Sequence, residues 1–294
     1  MKIKVFIVTY KNEDLLQNNL CSLLESDLVN HDFSINVINN YTEHFELQKF
    51  CDDRNIKVYH NYLRPDFSIG HLSRSWNQAI INGFKNLRSP DCDILVLAQN
   101  DNLFQKKWVE YILEMHKKYD FISMGAGDQY HSYNKNHIIK VGLWDERFCG
   151  NGFQENDYFI RSVIYNKDRT SISDDAHQRN WNNIENNIIS SDPALIGGRR
   201  GDPVTIASFE HHAVSQKILM AKWAECGDWE IFCERIRKNK GPEKSLIPDF
   251  IYYPYFETNV DLRSNKNYLI PLPPHDGRFT FGTPATAFEV TRRR

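Results

Sequence analysis

Carboxylates, amides, hydroxyls and imidazoles collect at five places along this chain, and four of them stand where an apolar run stops. Ile94 to Ala98 is apolar without alternation and breaks into Gln99-Asn100-Asp101-Asn102. Ile3 to Val8 ends in Thr9-Tyr10, Ser34 to Ile38 ends in Asn39-Asn40, and Val204 to Phe209 runs into Glu210-His211-His212. Unbroken apolar runs of this length read as strands buried on both faces of a parallel sheet. The carboxyl ends of such strands are where open α/β sheets bind ligands, so these polar exits can converge on one crevice. The fifth place is Asp145 to Asp157, where Gly150 and Gly152 precede Glu155 and Asp157 at a helix start. The plainer reading is that the amides make turns and caps and the acids compensate a helix dipole, at about 0.3–1 kcal/mol each. That explains each place singly but not their coincidence.

The elements that must position these groups alternate. A strand over Ile3 to Tyr10 is followed by a helix in which Leu15, Leu16, Leu20, Leu23 and Leu24 recur at helical spacing, with Asn12 as its expected cap. Further strands are expected at Ser34–Ile38, Ile56–His60, Asp93–Ala98 and Phe121–Met124. Two helices lie between them, one carrying Trp76, Ala79, Ile80, Gly83 and Phe84 and capped by Ser73, the other Trp108, Ile112, Leu113 and Met115. This order predicts an α/β fold with a mostly parallel sheet flanked by helices. No G-x-G-x-x-G follows the first strand and there is no P-loop, so a nucleotide here is held by side chains and strand ends.

From Lys167 to Asp202 the chain is polar and Asn-rich and reads as a long loop. A helix is expected over Ser215 to Lys238, with Leu219, Trp223 and Cys226 inward. The stretch after Pro242, rich in Pro and aromatics, reads as an extended C-terminal tail. The expected organisation is one domain over 1–241, with a nucleotide-binding half over 1–103 and an acceptor half over 104–241, wrapped by 242–294.

Composition excludes several classes. The 294 residues are 41% hydrophobic and 25% charged with a net charge of -2, which gives no general pull toward nucleic acid or an anionic membrane. No run approaches the roughly 20 apolar residues that span a bilayer, and no signal-peptide pattern opens the chain. The six cysteines show no C-x-x-C pair and no zinc spacing, and read as reduced thiols of a cytoplasmic protein.

Taken in order, these segments resemble the GT-A glycosyltransferases, in particular the family-2-like, nucleotide-sugar-dependent group. Val8-Thr9-Tyr10-Lys11-Asn12 resembles that family's first strand–helix unit, and Val37-Ile38-Asn39-Asn40-Tyr41-Thr42 its base-contacting loop. Gly70 and Ser73-Arg74-Ser75-Trp76-Asn77-Gln78-Ala79-Ile80 resemble its next segment. Gln99-Asn100-Asp101 falls at its D-x-D, Asp145-Glu146-Arg147-Phe148 at its D-E-R-F, Gln154-Glu155-Asn156-Asp157 at its E-D-x-D, and His211-His212 at a late metal-site histidine. The resemblance spans residues 3–215. Gln99 stands for the first Asp of D-x-D, Gln154-Glu155 for Glu-Asp, and Asn39-Asn40 lacks the base-contacting Asp.

The resemblance implies transfer of a sugar from a nucleoside-diphosphate sugar, UDP favoured, to a glycan or other hydroxyl acceptor, with inversion. It implies a divalent metal, Mn or Mg, held by Asp101 with His211 or His212. It gives Thr9, Tyr10, Asn39, Arg74, Asn77, Asn100 and Asp101 to the nucleotide and the general base to Glu155, with Asp157 as runner-up. The other readings are a GT-A-like module that binds nucleotide or glycan without turnover, and a nucleotidyltransferase. The latter should carry a glycine-rich basic loop after the first strand, which is not there.

Overall fold

The computed structural model describes residues 1–10, 12–28, 31–41, 45–61, 72–124, 128–148, 153–166, 169–174, 179–180, 189–191, 215–216 and 219. The chain opens with β1 (Lys2–Thr9), α1 (Glu13–Leu24), β2 (Asp32–Asn39), α2 (Phe45–Asp52), β3 (Lys57–His60), α3 (Leu72–Phe84) and β4 (Ile94–Gln99). It continues through β5 (Asn102–Phe104), α4 (Trp108–Lys118), β6 (Phe121–Met124), β7 (Tyr130–Tyr133), α5 (Lys135–Val141) and α6 (Gln154–Asn166). Three short strands follow, β8 (Thr170–Asp174), β9 (Arg179–Asn180) and β10 (Ile189–Ser191).

Eight strands form one mixed sheet in the order β3-β2-β1-β4-β7-β6-β8-β9, and β10 pairs with β5 separately. β3, β2, β1 and β4 are mutually parallel, β7 runs antiparallel between β4 and β6, and β8 is parallel to β6. The chain builds outward from β1 to β3, then returns to lay β4 on the other side of β1. The order therefore reverses between β1 and β4, the switch point at which open sheets leave a crevice.

The unbroken apolar runs are buried on both faces, as their composition requires. Phe6 and Val8 of β1 and Leu95 and Leu97 of β4 pack with Trp76, Ala79, Ile80 and Phe84 of α3. Ile3, Val5 and Ile7, with Ile94, Val96 and Ala98, pack on the other face with Leu16, Leu20 and Leu23 of α1 and Trp108 and Ile112 of α4. Gly83 lets α3 approach closely, since a Cβ there would lie 2.5 Å from Leu95 Cδ1.

The structure corrects several local expectations. Asn12 sits before α1 but in the left-handed region at φ 53°, and its side chain does not cap the helix. Ser73 lies inside α3, and its hydroxyl donates to the Phe148 carbonyl at 3.4 Å. The polar stretch from Lys167 is not simply loop, because Thr170, Ser171 and Ile172 of β8 are buried in the sheet. Thr170 fits there because its hydroxyl donates to the Asn166 and Ser162 carbonyls at 2.7 and 3.2 Å. β7 is a further strand that an apolar-run reading passes over, since its core residues are Tyr130-His131-Ser132-Tyr133.

The expected strand over 204–209 and the tail over 242–294 lie outside the described residues. Of the expected 215–238 helix, residues 215, 216 and 219 are described and are helical. Among the described residues no helix is long and apolar enough to cross a membrane. Cys21, Cys51 and Cys92 are free thiols, and burial pushes Cys51 and Cys92 up to about 11 and about 12, away from nucleophilic use.

Candidate active site

Because β3, β2, β1 and β4 are parallel neighbours, their carboxyl ends share one edge, and three of the polar clusters meet there, joined by Asn61 after β3. Asn40 N donates to the Thr9 carbonyl at 3.0 Å, Asn61 N to the Asn39 carbonyl at 2.8 Å, and Asn100 N to the Val8 carbonyl at 3.1 Å. Side chains repeat the stitching. Asn100 Nδ2 donates to Thr9 Oγ1 at 2.9 Å across the β1/β4 switch, and Asn40 Nδ2 donates to Ser75 Oγ at 2.9 Å. Asn61 Nδ2 donates to Asn40 Oδ1 and Gln78 Oε1 at 2.9 and 2.7 Å. Asn39 closes an Asx turn, its Oδ1 accepting from Tyr41 N at 3.0 Å. Tyr10 and Tyr41 leave this edge as an edge-to-face pair with centroids 5.4 Å apart, and Tyr41 is exposed.

Asp101 follows directly on β4 and is buried. Its turn is anchored by Asn19 of α1, whose Nδ2 donates to the Gln99 and Asn102 carbonyls at 3.2 and 2.8 Å. Gln129 Nε2 reaches Asp101 Oδ2 at 3.5 Å, and Asn102 Nδ2 donates to the Gln129 carbonyl.

Arg74 and Asn77, three apart on α3, face the 144–148 segment. Arg74 Nε donates to Glu146 Oε2 at 3.1 Å and Asn77 Nδ2 to Glu146 Oε1 at 2.9 Å. Asn77 also exchanges bonds with Trp144, donating to its carbonyl at 2.9 Å and accepting from its N–H at 2.7 Å. Both side chains thus hold the wall of the site through Glu146, while Asp145 pairs with Arg147 beside it.

The two acids at the start of α6 point to different faces, as a spacing of two requires. Asp157 is fully buried and pairs with Arg161 Nε at 3.0 Å, and Arg161 Nη1 continues to the Val141 carbonyl at 2.9 Å. Glu155 is only half-buried. Asp128, absent from the sequence-derived site, is a buried carboxylate between these parts. Its Oδ1 accepts from Gln99 Nε2 at 2.8 Å, and its Oδ2 accepts from Trp76 Nε1 at 2.9 Å and Gln154 Nε2 at 3.1 Å. Burial pushes its carboxyl above the usual range; the hydrogen bonds from Trp76 and Gln154 oppose that rise, and the charge of Asp101 adds to it. The available signal was the one used elsewhere: β6, a short apolar strand, exits through Gly125-Ala126-Gly127 into Asp128.

Among the described residues no three His, Cys, Asp or Glu side chains gather to hold a cation. The donor set at the β4 exit is one carboxylate among amides, which suits a hard divalent ion that draws most of its shell from phosphate and water. His211 and His212 lie outside the described residues.

No protein-family model matches the chain, and no curated protein matches it. Among solved structures it is similar to S. aureus TarS 1–349, at 15% identity and a TM-score of 0.44, over 60% of this chain and 58% of that one. It is similar to the mannosyltransferase PcManGT from Pyrobaculum calidifontis in complex with GDP-Man and Mn2+, at 11% identity and a TM-score of 0.43, over 59% and 55% of the two chains. A third is glucosyl-3-phosphoglycerate synthase from Mycobacterium tuberculosis in complex with Mg2+ and UDP, at 12% identity and a TM-score of 0.40, over 58% and 68%. The match thus spans less than two thirds of the first two, and no site residue is carried over from any of them.

Proposed function

We propose that the chain transfers a sugar from a nucleoside-diphosphate sugar, UDP favoured, to a hydroxyl acceptor with metal assistance and inversion. The observation that carries this reading is the edge itself. Four parallel strands end in amides and hydroxyls at a switch point, with the carboxylate of Asp101 at the β4 exit. The half-buried Glu155 starts a helix tied to that same exit through Gln154, Asp128 and Gln99.

In this reading Thr9, Tyr10, Asn39 and Asn100 line the nucleotide side, and the Tyr10–Tyr41 pair offers ring faces to a base. Arg74 and Asn77 serve it by fixing Glu146. Asp101 holds the cation together with His211 or His212. A bound divalent cation neutralises charge on the departing diphosphate. Glu155 takes the proton of the acceptor hydroxyl as its oxygen bonds the anomeric carbon and the carbon–oxygen bond to the diphosphate breaks. The buried pairing of Asp157 with Arg161 supports giving the base to Glu155 and leaves Asp157 as the runner-up.

Titration calorimetry with Mn2+ present should show heat for UDP; no heat for any nucleoside diphosphate would remove the reading. Asp101→Ala should abolish the metal-dependent part of that affinity, and one of His211→Ala and His212→Ala should do the same. Asn102→Ala should leave the metal dependence intact, since Asn102 faces the Gln129 carbonyl. An Asp101→Ala protein with unchanged metal-dependent affinity would reduce the segment to a turn. The second reading, a binder without turnover, is favoured by Gln99 at an acid position of the resemblance. Release of free sugar from a UDP-sugar panel by the purified chain would exclude it.

A further inference from the structure

Asp128 belongs to none of the motifs above, yet it touches three of the elements around the site. Trp76 comes from α3, Gln99 from the end of β4 and Gln154 from the start of α6, and each gives the carboxylate one N–H. The indole N–H can only donate, so Oδ2 serves Trp76 as an acceptor. Among the described residues no cationic side chain pairs with Asp128. The anion is therefore held by neutral donors alone, an arrangement that is stable only while all of them stay in place.

The two glutamines stand immediately beside the groups the proposed chemistry uses. Gln154 precedes Glu155, and Gln99 lies two residues before Asp101. Both stand where the resemblance has an acid. Here an acid at either position would lie about 3 Å from the Asp128 carboxylate, and two carboxylates at that distance cannot both stay ionised. The amides and the acid thus form one complementary set. Asp128 carries the charge, and Gln99 and Gln154 receive their orientation from it.

We propose that Asp128 is a positioning residue: through Gln154 it sets Glu155, and through Gln99 it sets the Asp101 turn, so that base and diphosphate pole keep a fixed separation. This rests on the glycosyltransferase reading above for its consequence, though not for its geometry.

The test is an exchange of acid and amide across the 128–154 contact in the full chain. Turnover is read on whichever UDP- or GDP-sugar the unchanged protein hydrolyses fastest. Gln154→Glu should lower kcat about tenfold or more while UDP affinity by calorimetry stays within about twofold. Adding Asp128→Asn to Gln154→Glu removes the second carboxylate, with the new amide oxygen kept on the Trp76 N–H and the amide nitrogen turned to the Gln99 side chain, and should raise kcat at least about threefold above that of the single variant. A residue that merely supports the fold would lose kcat, affinity and melting temperature together. Gln154→Glu with wild-type kcat, or a double variant no faster than the single one, overturns the proposal. If Gln154→Glu does not fold, Gln99→Glu with and without Asp128→Asn reads the same coupling from the strand side, with the same two outcomes. Failure of the functional reading looks different, because then the unchanged chain binds no nucleotide. In that case the melting temperatures of the single and double variants still read the coupling between Asp128 and Gln154, and strictly additive losses would mean that the two do not act on each other and would overturn the proposal.

Discussion

Glu155→Gln should bind UDP as the unchanged protein does and yet transfer sugar about 10²–10⁴-fold more slowly, the usual cost of losing a general base. The substitution keeps the shape of the side chain and removes only its basicity. Glu155 is the acid at the start of α6 that retains exposure, whereas Asp157 two residues on is sealed against Arg161. A helix-dipole role for Glu155 makes a different prediction, a loss of under about 1 kcal/mol of stability with turnover largely intact. The measurement is paired, with affinity and rate taken on the same preparation. Retained affinity with collapsed rate supports the base, and retained rate removes Glu155 from the role. Asp157→Ala separates the two acids further. It strands a buried guanidinium and should cost about 3–5 kcal/mol of stability, read as a lowered melting temperature.

What could be read from the sequence follows from how local each signal is. β1 and β4 were legible because strands buried on both faces leave an unbroken apolar run, and α3 because Trp76, Ala79, Ile80 and Phe84 recur at helical spacing. β7 was not, because its core is built from Tyr, His and Ser, whose burial depends on partners distant in sequence. Asn12 does stand at the start of α1, though its side chain makes no cap, while the cap at Ser73 failed for a related reason. Capping chemistry marks where a helix can begin, while packing decides where it does, and α3 carries Ser73 inside it.

The polar strand ends of the site were legible singly, since each ends its own apolar run. Their partners were not. That Arg74 and Asn77 hold Glu146, or that Gln99 and Gln154 share Asp128, requires contacts across 26 to 72 positions. The three-residue spacing of Arg74 and Asn77 does put them on one helix face, which is as far as the sequence goes.

Acid should unfold this protein earlier than its carboxylates alone would, because burial holds three of the described histidines neutral, His116, His131 and His137. His131 lies among the rings of Trp76, Phe121, Tyr133, Trp144 and Phe159, with neither ring nitrogen hydrogen-bonded among the described residues. Burial drops it to about 3. His137 stacks on the other side of this cluster, 4.5 Å from Phe121, and burial holds it well below its usual 6.5, with Asp120 opposing and Arg161 and Lys140 reinforcing the shift. The sign follows from linkage. Below pH 6.5 the unfolded chain takes up protons that the folded one refuses, so stability falls as pH falls, down to about pH 3 for His131. At pH 5 His131 alone has lost about 2 kcal/mol, a large part of the 5–15 kcal/mol that a domain has, and His137 and His116, also held low by burial, deepen the fall. Asp120 is also held low, but its contribution is lost only below the ordinary carboxylate range, so the two effects separate along the pH axis. Melting temperatures taken from pH 7.5 to 4.5 should therefore fall before the ordinary carboxylates titrate, with the raised carboxyl of Asp128 opposing that fall in part. His131→Leu removes one titrating group and abandons no hydrogen-bond partner, so it should flatten that slope by up to about 1.4 kcal/mol per pH unit. An identical slope in His131→Leu would mean that the ring takes up its proton in the folded state, and that the aromatic cluster opens to admit it.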